Sequence, residues 1–416
     1  MAGILRRFAR LPAVPVVVRV GENGTNTRHR SEHLTDTATG RDPRELYRKG
    51  AEIASDPDAI VEIGRSVTDE VEHTVIDNAD AIFTWDYGRS RAALVKLYEK
   101  AKSSQWNAST DLDWSTPVDI EKVAMSMGGW GGARERFGGS GGVLGSWGDA
   151  EWMTYGIESQ KNTLSQFLHG EQGALICTAK IVESVPWIDA KYYASTQVMD
   201  EARHVEVFGR YLDEKLEGHY PINPHLRVLL DDIIADHRWD ITYLGMQIMV
   251  EGLALAAFGA MHHMCDEPLL RKLLRYVMSD EARHVAFGVL SLKEIYDDMS
   301  ASEIRQRQEF AYDAAVRLRN RWFHTDIWER MGADPNRIVA EMIDNPHRHE
   351  LQFRSLLFSK IVPNCKKLGL LDAGDGWLRQ KFTELGIIEF EDFVDTGEEY
   401  EMLDEVAKDR QAAASA

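Results

Sequence analysis

The hexapeptide DEARHV occurs twice, at residues 200–205 and 280–285, 80 residues apart. The same offset relates two earlier acids, Glu171 and Glu251, each 30 residues before the Glu of its ExxH. The chain therefore holds two copies of E-x29-E-x2-H, the pattern of a duplicated helix hairpin. At 1.5 Å per residue, that spacing allows about 15 residues up and 15 down, roughly 22 Å each way. Each early acid thus returns to the level of its own ExxH. Glu201 and His204 are i and i+3 and share a helix face, as do Glu281 and His284. Two such hairpins packed together place four carboxylates and two imidazoles at one depth of a helical bundle.

The acids sit in apolar stripes. Leu164, Phe167, Leu168 and Leu175 share a face with Glu171, and Leu244, Ile248, Leu255 and Phe258 share one with Glu251. Val198, Val205 and Phe208 accompany Glu201, and Met278, Val285 and Leu292 accompany Glu281. A bare carboxylate facing a core is costly, and four together repel one another. Two divalent cations neutralise four carboxylates, which is the simplest compensation. The set matches the ferritin-like arrangement of one Glu from each of two helices and an ExxH from each of the others. Zinc favours tetrahedral nitrogen and sulfur sets, and calcium and magnesium take oxygen ligands. Two iron ions fit the mixed set, with Mn/Fe equally compatible.

The pattern from Ala150 to about Arg330 is helical almost without break, with helices near 150–183, 186–215, 224–264, 267–298 and 301–330. The expected fold class is all-α: a ferritin-like four-helix bundle in 151–330 with additional N- and C-terminal helices. An irregular N-terminal arm spans 1–41. Its first 30 residues hold six arginines and one acid, which reads either as a transit segment or as a poorly ordered arm. Residues 42–150 form a helical segment, from Asp42 to about Lys102, followed by a Gly/Trp-rich loop. Glycine disfavours helix in that loop, which reads as a connector or as a lid over a site. Residues 331–416 hold C-terminal helices and an acidic tail.

A formal net charge of −19 excludes a general nucleic-acid binder. Three scattered cysteines, Cys177, Cys265 and Cys365, fit a reducing cytoplasm. No run of 18 apolar residues is present, so no membrane span is expected.

DEARHV resembles the DExRH motif of bacterial multicomponent di-iron monooxygenases. These belong to the ferritin-like superfamily, with the ribonucleotide reductase small subunit and the acyl-carrier desaturases. The resemblance covers about residues 150–300. It implies that Glu171, Glu201 and His204 bind one iron and Glu251, Glu281 and His284 the other, with Glu201 and Glu281 bridging. It further implies that Asp200 and Asp280 each bond the histidine of the opposite hairpin. Arg203 and Arg283 would balance their charge. Three positions depart from the relatives' patterns. Phe208 stands where the reductase subunit has its radical tyrosine, Leu255 where methane- and toluene-type hydroxylases have a threonine, and Val277 where arylamine N-oxygenases have a further histidine.

The implied activity is an O₂-dependent monooxygenase acting on an organic small molecule, with O₂ as co-substrate. Leu175, Phe208, Leu255 and Phe258 would line the substrate pocket. The chain shows no flavin or nicotinamide fingerprint, so a ferredoxin or reductase partner is implied, and a homodimer is compatible with the pattern. Two alternatives stay open: a ferritin-like protein for iron handling or peroxide removal, and a radical-generating subunit. His169 and the pair His262–His263 read as ordinary core or surface histidines, and Gln247 either as a donor near Glu251 or as a packed polar residue.

Overall fold

The computed structural model describes residues 49–67, 72–126, 129–346 and 348–393. The N-terminal arm, the expected start of the helical segment at Asp42 and the acidic tail beyond residue 393 lie outside them. Among the described residues every regular element is helical.

In chain order the first six helices are α1 (Gly50–Ile53), α2 (Pro57–Gly64), α3 (Ala92–Ser103), α4 (Ala108–Asp111), α5 (Ile120–Ser126) and α6 (Gly129–Phe137). The bundle follows as α7 (Asp149–Ser184), α8 (Ile188–Lys215), α9 (Pro224–Ala235), α10 (Trp239–Tyr243), a π-helical segment (Leu244–Val250), α11 (Glu251–Met264) and α12 (Pro268–Tyr296). Behind it lie α13 (Ala301–Asn320), α14 (Thr325–Arg330), α15 (Pro335–Asp344), α16 (Arg348–Leu357), α17 (Ile361–Lys367) and α18 (Trp377–Glu384).

Local chemistry sets the ends of the bundle helices. Val185, before Pro186, is extended (φ −73°, ψ 139°) and stops α7. Glu267 caps α12, accepting from Leu269 N at 2.8 Å and Leu270 N at 2.7 Å, with Pro268 at the first helical position. Asn223 and Pro224 do the same for α9. Ser300 and Glu303 cap each other's backbone at the start of α13.

The hairpin of α7 and α8 packs on the hairpin of α11 and α12, with α3 laid across α8 and α12. The pairing follows from the apolar stripes: Leu164, Phe167, Phe208, Leu253 and Phe258 are all buried at the shared core. Helix α13 closes the side of the π segment, which it approaches closely at Gly245. A Cβ there would lie 3.0 Å from Phe310 Cζ and 2.5 Å from Ile233 Cγ1 on α9.

Several sequence expectations need correction. The expected helix 224–264 is broken at Asp236–Arg238, where the Arg238 side chain folds back onto Asp236 with Nε 2.9 Å and Nη2 2.6 Å from its carboxylate. Within it, residues 244–250 are π-helical. The expected helix 301–330 breaks at Arg321–Phe323 and at His324, which is left-handed at φ 50°. Residues 72–91, expected within a helical stretch, form no regular element. Conversely, Gly129–Phe137 is helical despite its glycines, because it packs along α7. The stretch Trp239–Met264 is long and apolar enough to cross a membrane by length and composition, but 83% of its 18-residue apolar window is buried in the bundle. All three cysteines are free and buried.

Candidate metal centre

Four helices each deliver part of one buried cluster. Glu171 comes from the middle of α7, Glu201 and His204 from α8, Glu251 from the first residue of α11, and Glu281 and His284 from α12. All six are buried. Ligand atoms of Glu171, Glu201, His204 and Glu281 lie within 4.8 Å of one another, and so do those of Glu201, Glu251 and His284. Glu201 belongs to both groups.

Both histidines turn Nδ1 inward. His204 Nδ1 lies 3.2 Å from Glu171 Oε2, 3.2 Å from Glu201 Oε2 and 3.0 Å from Glu281 Oε1. His284 Nδ1 lies 3.0 Å from Glu201 Oε1 and 3.4 Å from Glu281 Oε2. Glu201 and Glu281 therefore each present one oxygen to either imidazole, the disposition a bridging carboxylate needs. Glu201 Oε2, Glu251 Oε2, both oxygens of Glu281 and His284 Nδ1 are buried without a hydrogen-bond partner. Polar atoms left so in a core cost about 1–3 kcal/mol each. Their convergence is what a pair of cations would satisfy.

The outer face of each imidazole meets the other hairpin. His204 Nε2 lies 3.2 Å from Asp280 Oδ2, and His284 Nε2 lies 3.4 Å from Asp200 Oδ2. Arg203 pairs with Asp200 and, at 3.3 Å, with Asp280. Arg283 pairs with Asp280 and, at 3.4 Å, with Asp200. Six carboxylates against two guanidinium groups leave four negative charges, the charge of two divalent cations.

In the ion-free cluster, protons make up that balance. Burial, then the charge of Glu281, pushes Glu171 up to about 8. Burial, then Glu201 and Glu281, raises Glu251 well above the carboxylate range. Burial acts against Glu201 too, but the charges of His284 and His204 hold it below that range. Burial alone would lower both histidines. The carboxylates around them more than reverse this.

Three contributors carry no motif signal. Gln197, one turn before Glu201, donates Nε2 to Glu201 Oε1 at 3.0 Å and to Glu251 Oε1 at 2.9 Å. Its counterpart at the 80-residue offset is Val277, so the two halves of the cluster differ here. From the turn after α3, Gln105 Nε2 donates to Asp200 Oδ1 at 3.0 Å and Trp106 Nε1 to Asp280 Oδ2 at 2.7 Å. The spacing of Gln197 to Glu201 could have flagged the first. Nothing local flags the other two.

Of the expected pocket residues, Phe208 and Phe258 are fully buried and stacked 5.5 Å apart, with the Phe167 ring edge-on to Phe258 at 4.6 Å. Leu255 is buried and Leu175 half-buried. None of the four lines the cavity of about 510 Å³ that lies further along α7 and α11. Gln247 is buried in the π segment, and its amide has no partner. His169 bonds the Tyr220 carbonyl at 2.8 Å. Tyr211 is committed to Glu267 at 3.0 Å.

No family model matches the chain, and no curated protein matches it. Among solved structures, an R2-like ligand-binding oxidase with aerobically reconstituted metal cofactor after photoconversion superposes with TM-score 0.42 at 17% identity. The match covers 68% of this chain and 94% of that one. A variant of R2-like ligand-binding oxidase with anaerobically reconstituted Mn/Fe cofactor gives TM-score 0.45 at 17% identity over the same shares. At such values the likeness decides nothing about this chain, whose chemistry has to be read from its own residues. Those residues form an all-α, ferritin-like bundle around a buried Glu/His cluster able to hold two metal ions.

Proposed function

We propose that the chain is an O₂-activating di-iron oxidoreductase. On this reading it oxygenates an organic substrate with electrons from a separate ferredoxin or reductase. The observation that carries the proposal is the gathering of orphaned buried atoms of Glu201, Glu251, Glu281 and His284 into two adjoining groups that share Glu201, between the two hairpins. Glu171 and His204 would complete one ion's set and Glu251 and His284 the other's, with Glu201 and Glu281 shared. Iron, or a manganese–iron pair, suits the oxygen and imidazole donors. Bound there, the metals supply reversible electron transfer and activation of O₂.

The chain's own residues do the rest. Asp280 and Asp200 fix the ring orientation of His204 and His284 and raise the basicity of Nδ1. Gln197 tethers the carboxylates of Glu201 and Glu251 while leaving Glu251 Oε2 free. Glu171 and Glu251 hold protons that ion binding displaces. Phe167, Phe208 and Phe258, with Leu255, form an apolar wall that excludes water from the reacting side, and Leu175 stands at its edge.

Metal analysis after anaerobic Fe(II) loading is expected to give about two irons per chain. Glu201→Ala and His284→Ala are each expected to lower that, and unchanged content in both variants would refute the site. Loaded protein with a reductant should consume O₂ only when an organic substrate is present. Turnover of peroxide or storage of iron, with no organic product across a broad panel, would favour the iron-handling reading.

One observation favours a second reading, a radical-generating subunit. Tyr193 on α8 is fully buried, and its hydroxyl has no partner. A tyrosyl signal in electron paramagnetic resonance after oxidation, lost in Tyr193→Phe, would support it.

A further inference from the structure

The cavity of about 510 Å³ lies between α7, α11 and the turn that ends α13. Aromatic rings form much of its wall: Phe137, Tyr155, Trp322, Phe323, Trp328 and Phe358. Met264 and Phe353 line its rim and are 37% and 40% exposed, so it opens to solvent there. At the inner end, Thr163 is one turn before Phe167, and Ala257 directly precedes Phe258. Glu171 lies eight residues past Thr163, and Ala257 six past Glu251, or about 12 Å and 9 Å along their helices. Along α7, Phe167 thus stands between this cavity and Glu171.

Three polar atoms of the lining residues lack partners. Gln160 Nε2, Trp322 Nε1 and His324 Nδ1 all belong to lining residues, and each is buried without a hydrogen bond. Arg319 lines the same space. Its Nε and Nη2 donate to Asn320 Oδ1 at 3.0 Å and 2.7 Å, and Nη2 also to the Ala54 carbonyl, all neutral acceptors. No carboxylate pairs with Arg319 among the described residues. Burial, then the charge of Arg354, pulls Arg319 down to about 9, the mark of a cation lacking a counter-charge. His324, which also lines this space, is held left-handed at φ 50°, a costly conformation for a non-glycine residue. Pockets of this size with a few convergent polar groups take small organic molecules.

We infer that this cavity binds a small organic acid with an apolar, ring-bearing body. Its carboxylate is held by Arg319 and by the donors of Trp322 and Gln160, and its rings lie among the aromatic walls. The identification of that molecule as the substrate rests on the oxygenase reading above. The binding itself does not. The acid end sits deep beside α13, and the body extends toward Ala257 and Phe167, beyond which Glu171 lies along α7.

Calorimetry on the full chain, metal-free and iron-loaded, tests this with three probes: 2-naphthoate, 4-biphenylcarboxylate and indole-3-acetate. Each is paired with its neutral amide. At least one acid is expected to bind once per chain, about tenfold or more tighter than its amide, because the charged hydrogen bonds are lost in the amide. Binding should quench tryptophan fluorescence. Ala260→Phe, which fills the cavity, is expected to abolish binding while the chain still takes up two irons. Trp322→Phe keeps an aromatic side chain but removes the indole N–H together with its five-membered ring, and should weaken binding several-fold. No binding of any acid to the wild-type chain, equal affinity for acid and amide, or unchanged binding in Ala260→Phe would overturn the assignment. Acid binding by a chain that takes up no metal would leave this site standing and remove the oxygenase. Metal uptake without acid binding would do the reverse.

Discussion

At the scale of single residues, the cluster is decided by which side of each group faces inward. Both imidazoles spend Nδ1 on the centre and Nε2 on an aspartate from the other hairpin. Gln197 breaks the near-symmetry, since its counterpart is Val277. It holds Glu251 at 2.9 Å, and no amide does the same for Glu171 among the described residues. The two ions are therefore expected to differ in affinity. Gln197→Val makes the two positions alike, and should weaken the ion beside Glu251 by about ten- to hundredfold, as loss of an outer hydrogen bond does at other metal sites. Anaerobic titration with Fe(II) reads this directly, and an isotherm matching the wild type would show that Gln197 is mere packing. The convergence of these six residues was legible in the sequence because helical spacing and a repeat both constrain them. Gln105 and Trp106 were not, because their partners, Asp200 and Asp280, lie 95 and 174 residues away.

At the scale of elements, the π segment before α11 matters most. Its wider turn ends at Glu251, whose N–H bonds the Met246 carbonyl. Such segments recur at functional sites because they re-aim a side chain. Hydrophobic spacing misses them, since buried residues on every side leave no polar face to mark the phase, and residues 244–250 are all buried. The segment can lie against α12 only because position 288 is glycine. A Cβ there would fall 2.6 Å from Gln247 Cβ and 3.2 Å from Ile248 Cδ1. Gly288→Ala is expected to cost about 1–3 kcal/mol by overpacking and to displace Glu251. Urea midpoints and iron content should fall together. A loss of stability with full iron content would uncouple the two.

A second element-scale tie is pH-dependent. His225 on α9 is buried, with Nε2 3.1 Å from the Ile60 carbonyl on α2. Burial, then the charge of Arg317, pushes it from 6.5 down to about 3. Between those values the unfolded chain carries a proton there that the folded chain does not. Stability from this group is therefore lost as pH falls below 6.5, by about 1.4 kcal/mol per pH unit. His225→Gln removes the dependence. Between pH 6 and 5 the stability difference should shift toward the variant by about that amount in urea unfolding. A difference that stays constant with pH would mean that His225 titrates as it does in water.

At the scale of the molecule, the cluster joins two hairpins that share few other polar ties. Without cations, its surplus negative charge has to be met by protons. Chelation is therefore expected to lower Tm, and ions at one hundred times Kd to restore roughly 2.7 kcal/mol per site. A Tm unmoved by chelator and by Fe(II) would mean that the cluster is a structural proton network. The all-α class and the central hairpins followed from helical periodicity and from the 80-residue repeat. The outer shell was harder to read, because α6 and the stretch 72–91 take their form from the surfaces they lie on rather than from their own composition.

The crossed wiring of Asp200 to His284 and Asp280 to His204 has a consequence for synthesis. Neither hairpin orients its own histidine, so a nascent chain that has emerged only through α8 holds ligands but no finished site. The centre first exists once residue 284 has cleared the ribosome and α12 has docked. On the di-metal reading proposed above, metal loading would be a late, post-synthetic event that reads out completed assembly, and a chain stalled in α11 would meet iron without the means to keep it.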